Sequence, residues 1–164
     1  MLKMYTANKI VDKDFLAKES ASLQSKGEKV VFTNGCFDIV HLGHIDYLEK
    51  AKSKGDILIV GLNSDASVKN IKGEDRPIID QQSRGRLIAA LSFVNYVVYF
   101  DEETPYELIK AIKPNVLIKG DDYNISNIVG SDIVMSNGGK VETVTLVKGY
   151  STSNIIDKIK ALNS

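Results

Sequence analysis

The chain of 164 residues is poor in the residues that most often announce a site. Its single cysteine, Cys36, excludes an intrachain disulfide and, with no second thiol, argues against a structural zinc site. Lysine plus arginine and aspartate plus glutamate both total 21, so there is no global basic field for nucleic acid or an anionic membrane, and any phosphate site must be local. No apolar run approaches the roughly 18 residues needed to span a bilayer. Met1 to Ser20 mixes lysines with acids where a secretory segment would carry an apolar core, so the expectation is a cytoplasmic protein. There is no internal repeat and no low-complexity linker. A composition of 43% hydrophobic and 26% charged residues suits one domain, 1–164, with a leading helical segment over 1–27.

What is present is an alternation of strand-like and helical segments. Helices are expected over Val11 to Lys26, Leu42 to Lys54, Asp65 to Ile71, Gln81 to Leu91, Pro105 to Ile112, Ile128 to Ser136 and Thr152 to Leu162. Strands are expected over Val30 to Phe32, Ile57 to Leu62, Tyr96 to Phe100, Val116 to Ile118 and Val141 to Leu146. Five strands separated by helices imply an α/β fold with a five-stranded parallel sheet, right-handed crossovers and helices on both faces. Polar clusters follow the strands at Thr33 to Asp38, Asn63 to Asp65, Asp101-Glu102, Lys119 to Tyr123 and Gly149 to Thr152. They should converge on the carboxyl edge of the sheet, where the ligand crevice of such a fold lies. Asn63, Ser64 and Asp65 also suit helix capping, so a substrate-binding role for Asn63 and Asp65 competes with a cap.

Both histidines of the chain fall in one stretch, Thr33-Asn34-Gly35-Cys36-Phe37-Asp38-Ile39-Val40-His41-Leu42-Gly43-His44, which joins the first strand to a helix. Three residues apart, His41 and His44 share a helical face if His41 has entered helical geometry. Gly43 lets a ligand approach the backbone, and the amides of the helix start favour a phosphate. Cys36 is either a reactive thiol or a packing residue.

This stretch resembles the first motif of the nucleotidylyltransferase superfamily named for its HxGH histidines. The resemblance implies a Rossmann-like domain that moves a nucleoside monophosphate from a triphosphate to an acceptor and releases pyrophosphate. His41 and His44 would then donate to the α- and β-phosphate oxygens, with Gly43 beside them. Gly149-Tyr150-Ser151-Thr152-Ser153 resembles the second superfamily motif, in which Tyr150, Ser151 and Thr152 would meet the outer phosphates. The fuller motif carries a basic residue three positions after its Ser-Thr pair, and this chain does not. Lys72 and Arg76, with Arg84 and Arg86 behind them, are the candidate cations, although the same Gly- and Pro-containing run suits a solvated loop.

Further strings resemble the D-glycero-β-D-manno-heptose 1-phosphate adenylyltransferases: Phe32 to Asp38, Gly61 to Lys69, Lys72-Gly73 with Arg76-Pro77, Thr104-Pro105 and Gly149 to Thr152. The resemblance implies ATP and a sugar 1-phosphate as substrates, with adenosine over Gly35, Phe37 and the Gly120 turn, near Thr33, Asn34, Cys36 and Asp122. It also implies Mg²⁺ held mostly by phosphate and water, a homodimer, a separate sugar kinase upstream, and a product for lipopolysaccharide core or another surface glycan. No protein metal site is expected; Asp38 and Asp122 are candidates to touch the ion, and Asp38 equally suits a turn cap. Asp121 stands where that family usually has glycine and resembles the glycerol-phosphate cytidylyltransferases, which leaves CTP and a polyol phosphate open. A non-catalytic nucleotide sensor of the same fold is a further alternative, disfavoured by the intact histidine pair. A dehydrogenase is disfavoured because Gly35 to Gly43 lacks the G-x-G-x-x-G turn.

Overall fold

The computed structural model describes residues 5–162. Residues 1–4, where the expected leading segment begins, and 163–164, at the end of the expected domain, lie outside the described residues. The strands are β1 (Val30–Gly35), β2 (Ile57–Asn63), β3 (Tyr96–Phe100), β4 (Val116–Gly120) and β5 (Lys140–Val144). The helices are α1 (Lys13–Ser25), α2 (Leu42–Lys52), α3 (Asp65–Lys72), α4 (Gln81–Ala90), α5 (Tyr106–Ile112), α6 (Ser131–Ser136) and α7 (Thr152–Leu162). All strand pairs are parallel, in the order β3-β2-β1-β4-β5. The sequence-based fold class therefore holds, and the strand order reverses direction between β1 and β4, the position at which such sheets open a crevice.

Several boundaries differ from the sequence reading, each for a local reason. The leading helix begins at Lys13, because Ile10 bridges to Val97 and the Asp12 side chain caps the helix by accepting from the Phe15 amide. Strand β1 continues three residues past Phe32, since Asn34 and Gly35 stay in register with Gly61 and Leu62. Strand β4 runs to Gly120 opposite Val144, where β5 stops short of Leu146. Helix α6 starts at Ser131 instead of Ile128, after a 3-10 turn over Ile125–Asn127 and a break at Gly130 with φ +83°. A Cβ there would lie 2.7 Å from the Ile109 side chain, so both conformation and space call for glycine.

The sheet is buried on both faces. Tyr47, Leu48 and Ala51 of α2 and Ile88 and Ala89 of α4 pack with Val31, Val60, Val97, Val116 and Ile118 on one side. Leu16 of α1, Leu108, Ile109 and Ile112 of α5 and Val134 of α6 pack with Phe32, Ile59, Val98 and Leu117 on the other. Such strands read as nearly unbroken apolar runs, which is why the sequence located them. The ladder between β1 and β4 is short, pairing Val31 with Val116 and Phe32 with Leu117. Above it the two strands are joined by side chains: the Thr33 hydroxyl lies 2.6 Å from that of Tyr47, and both reach the Ile118 carbonyl, at 3.0 and 3.2 Å.

Candidate active site

The carboxyl edge carries a cleft of about 850 Å³. His41 is the residue that caps α2, in an extended conformation (φ −142°, ψ 173°), with no side-chain cap bond. It is thus not helical, and the shared helical face anticipated from the spacing does not arise. The two rings meet differently: the His41 side chain folds over the first turn and stacks on His44, with centroids 3.8 Å apart and planes 20° from parallel. Gly43 makes room for this, since a Cβ there would lie 3.0 Å from His41 Cε1 and 3.2 Å from Tyr150 Cβ. Phe37, at φ +46°, sets its ring edge-on to His44 at 5.1 Å. Gly35 in turn lies under Phe37, whose ring would be 3.0 Å from an added Cβ.

Both nitrogens of His41 and Nδ1 of His44 are buried without a hydrogen-bond partner. Unpaired buried polar atoms of this kind are costly in a finished core and are expected where a ligand completes them. Burial lowers the pKa of His41, and burial followed by the neighbouring His41 charge pushes His44 down to about 4. At neutral pH the pair is therefore uncharged and can act by hydrogen bonding.

The remaining predicted residues divide into wall and frame. Asn34, Gly35, Cys36, Phe37, Asp38, Gly43, Asn63, Lys72, Arg76, Gly120, Asp122, Tyr150, Ser151 and Thr152 line the cleft with the histidines. Thr33 does not: its hydroxyl is fully buried against Tyr47 and Ile118. Asp65 does not either, because its carboxylate is taken by Arg84 Nη2 at 2.7 Å, while Ser64 caps α3 through the Ser67 amide. The capping alternative fits this segment, except that Asn63 also faces the cleft and donates to the Ser67 hydroxyl. Asp38 is almost fully buried and accepts from Arg76 Nε at 2.5 Å and from the amides of Ile78 and Ile79. Burial would raise its pKa; the two amides and Arg76 prevail and hold the carboxyl below its usual range. Its lone pairs hold the 76–79 loop, so the turn-capping reading accounts for it.

That engagement also changes the cation list. Arg76 reaches the cleft but is neutralised by Asp38. Arg84 is completely buried and ties together the carbonyls of Cys36, Asn63 and Ile79, a frame role missed in the sequence. Arg86 bonds the Thr6 hydroxyl away from the cleft. Lys72 stands at the wall in the last turn of α3 and forms no salt bridge among the described residues. Lys119, absent from the sequence-based site, lines the cleft with Nζ 2.6 Å from Asn34 Oδ1 and 5.3 Å from the Tyr123 ring centroid. Its signal in the sequence is its place at the head of the polar cluster Lys119 to Tyr123, which the strand pattern brings to the carboxyl edge without assigning this lysine a role.

The second motif opens α7, where the Ser151 hydroxyl accepts from the Asn154 amide at 3.0 Å and so caps the helix. Asp121 Oδ1 accepts from the Leu146 amide at 3.3 Å and thereby clasps the loops after β4 and β5. Cys36 is half-buried, its thiol pKa raised by burial, with Sγ 3.9 Å from Asn63 Oδ1, which fits a packing residue.

The profile of the cytidylyltransferase-like family matches residues 32–158. The Bifunctional protein HldE of Geobacter metallireducens is 56% identical over 151 residues, covering 92% of this chain and 31% of that protein. That of Geobacter sulfurreducens is 52% identical over 151 residues, again 92% of this chain and 31% of the relative. The chain thus spans about a third of the length of these curated relatives. Among solved structures, the lipopolysaccharide core biosynthesis protein of Thermoplasma volcanium GSS1 aligns with a TM-score of 0.62 at 32% identity, covering 76% of this chain and 100% of that one. Pantoate-beta-alanine ligase of Francisella tularensis aligns with the same TM-score of 0.62 at 18% identity, over 94% and 78%, and shares the fold alone. With its parallel sheet, its cleft at the β1/β4 switch and these matches over most of its length, the chain belongs to the cytidylyltransferase-like family.

Proposed function

We propose that the protein transfers AMP from ATP to a sugar 1-phosphate, with heptose 1-phosphate as the acceptor, giving an ADP-sugar and pyrophosphate. The observation that carries the reading is the stacked imidazole pair beside the start of α2, three of whose four ring nitrogens are buried without a hydrogen-bond partner. An oxygen of the acceptor phosphate bonds to the α-phosphorus as the bond to the bridging oxygen breaks, and the electron pair leaves with pyrophosphate. No protein nucleophile is needed. The chain's task is positioning and stabilisation of moving negative charge.

His41 and His44 donate to the α- and β-phosphate oxygens, and the first-turn amides of α2 and α7 face the polyphosphate. Tyr150, Ser151 and Thr152 line that end, and Lys72 supplies a nearby cation. Gly35, Cys36, Gly120 and Asp122 border the nucleoside. A Mg²⁺ ion bound with the triphosphate would supply neutralisation of its negative charge. Asp38 does not fit it, being engaged by Arg76 and two amides, whereas Asp122 is exposed at the cleft and is the carboxylate suited to meet it. A homodimer, a cytoplasmic location and a separate kinase making the acceptor complete the proposal; the similarity to proteins named Bifunctional protein HldE supports the heptose assignment.

The test is pyrophosphate release with ATP or CTP against heptose 1-phosphate and glycerol 3-phosphate. ATP with heptose 1-phosphate is expected to be the productive pair, and His44→Ala to lower its turnover by about 10²–10³. Turnover within about threefold of the parent would reject the histidine role. Preference for CTP with glycerol 3-phosphate would replace the assignment, and nucleotide binding without turnover on any acceptor would favour a sensor.

A further inference from the structure

The sheet divides the cleft into two sides. On β1, Val31 and Thr33 face α2 and Phe32 faces α5, so strand alternation places Asn34 on the α5 side. On β4, Val116 and Ile118 face α2 and Leu117 faces α5, so Lys119 also points to the α5 side. The Lys119–Asn34 bond of 2.6 Å follows from this matched alternation. The histidines stand at the start of α2, on the other side, and the turn into α7 lies beside them, with Tyr150 against Gly43. Pro105, which leads into α5, and the buried Ile128 extend the cleft on the Lys119 side.

An in-line displacement requires the attacking oxygen to approach opposite the leaving group. If the histidines and the starts of α2 and α7 hold the pyrophosphate end, the acceptor comes from the α5 side. There the chain offers an ammonium that donates to the neutral amide of Asn34 and forms no salt bridge among the described residues. A largely buried charge with so little compensation is unfavourable until an anion arrives.

We propose that Lys119, oriented by Asn34 and covered by Tyr123, binds the phosphate of the acceptor and presents its oxygen to the α-phosphorus from the face of the sheet opposite the histidines. This rests on the transfer reading above. Lys119 then partly offsets the repulsion between two phosphates as they meet. The charged and titratable groups around it are Asp122 and Tyr123 in the following turn, Cys36 after β1 and Glu103 before α5. Burial lowers its pKa to about 8, against the opposing pull of Asp122 and Cys36, so it is charged at neutral pH and loses its proton above that value.

The experiment compares the full chain with Lys119→Met and Lys119→Arg, using heptose 1-phosphate as acceptor and calorimetry for ATP binding. Lys119→Met is expected to cut kcat/KM for the acceptor by about 10². The ATP Kd should stay within about threefold of the parent. Lys119→Arg should restore most of the acceptor term and move the alkaline limb of its pH profile upward. Thermal melting checks the fold, and Lys119→Met is expected to melt no lower than the parent. An equal loss of ATP affinity, or acceptor kcat/KM within about threefold of the parent, overturns the assignment. If the parent uses no sugar phosphate, the transfer reading fails by itself. The subsite is then decided by titrating inorganic phosphate while following the Lys119 side-chain NMR signal: a saturable shift supports it and a constant signal overturns it.

Discussion

Arg84, fully buried, meets the Asp65 carboxylate at 2.7 Å and gives three further donors to the carbonyls of Cys36, Asn63 and Ile79. One planar guanidinium therefore fixes the ends of β1 and β2 and the loop before α4. Arg84→Ala leaves these acceptors and a carboxylate uncompensated, and is expected to cost about 3–5 kcal/mol of unfolding free energy. Arg84→Lys should recover little, since an ammonium cannot serve four acceptors in a plane. Urea denaturation measures both; a loss below about 1 kcal/mol for Arg84→Ala would remove the frame role.

Asp38 holds the 76–79 loop against the first motif through two amides and Arg76. Replacement by asparagine removes charge from a buried pair, and the expected stability loss is about 2–4 kcal/mol. The sign of its pH dependence follows from a carboxyl pKa lowered in the folded protein. Its contribution is present above the ordinary aspartate pKa and disappears as pH falls through the lowered one. Asp38→Asn should flatten that part of the acid limb in a melting series, and an unchanged limb would contradict this account.

His44 works in the opposite part of the acid range. Its folded pKa of about 4 lies below the ordinary histidine value of 6.5, so between those values the unfolded chain binds more protons. Stability is complete above the upper value and declines toward the lower one, by a total on the order of 3 kcal/mol. His44→Gln is expected to weaken this decline. Denaturant melts from pH 7 to pH 4 give the slope directly, and identical slopes for parent and variant would exclude the linkage.

Gly43→Ala isolates the histidine geometry from folding. The new methyl carbon would press on His41 and on Tyr150, at 3.0 and 3.2 Å, while alanine favours the helix itself. The melting temperature should stay within a few degrees, with ATP turnover lower by about tenfold or more as the rings separate. Full activity would show that the stacked arrangement is dispensable.

The strands and the HxGH stretch were legible because both are local: buried parallel strands leave apolar runs, and a strand-to-helix turn keeps its ligands adjacent in sequence. Residues whose partners are distant in sequence were not. Asp38 and Arg76 are 38 positions apart, so their mutual engagement is visible only in three dimensions. Arg84 suggests a phosphate cation in the sequence because its partners are mostly backbone carbonyls, which carry no sequence signature. For Lys119 the sequence places the polar cluster at the crevice but not the side chain: it stands near the end of a strand that otherwise belongs to the core, and its orientation depends on the alternation of a neighbouring strand. Capping was partly readable at Asn63-Ser64-Asp65, but which of the three also faced the cleft required the fold.

The short β1–β4 ladder has a consequence for how this scaffold can diversify. Beyond Phe32 and Leu117, the aperture is set by the hydroxyls of Thr33 and Tyr47 and by the Lys119–Asn34 contact, with no peptide ladder across it. Its width is accordingly a matter of a few interchangeable side chains. A descendant could admit a bulkier or slimmer guest by exchanging them, while every main-chain rung of the sheet stayed where it is.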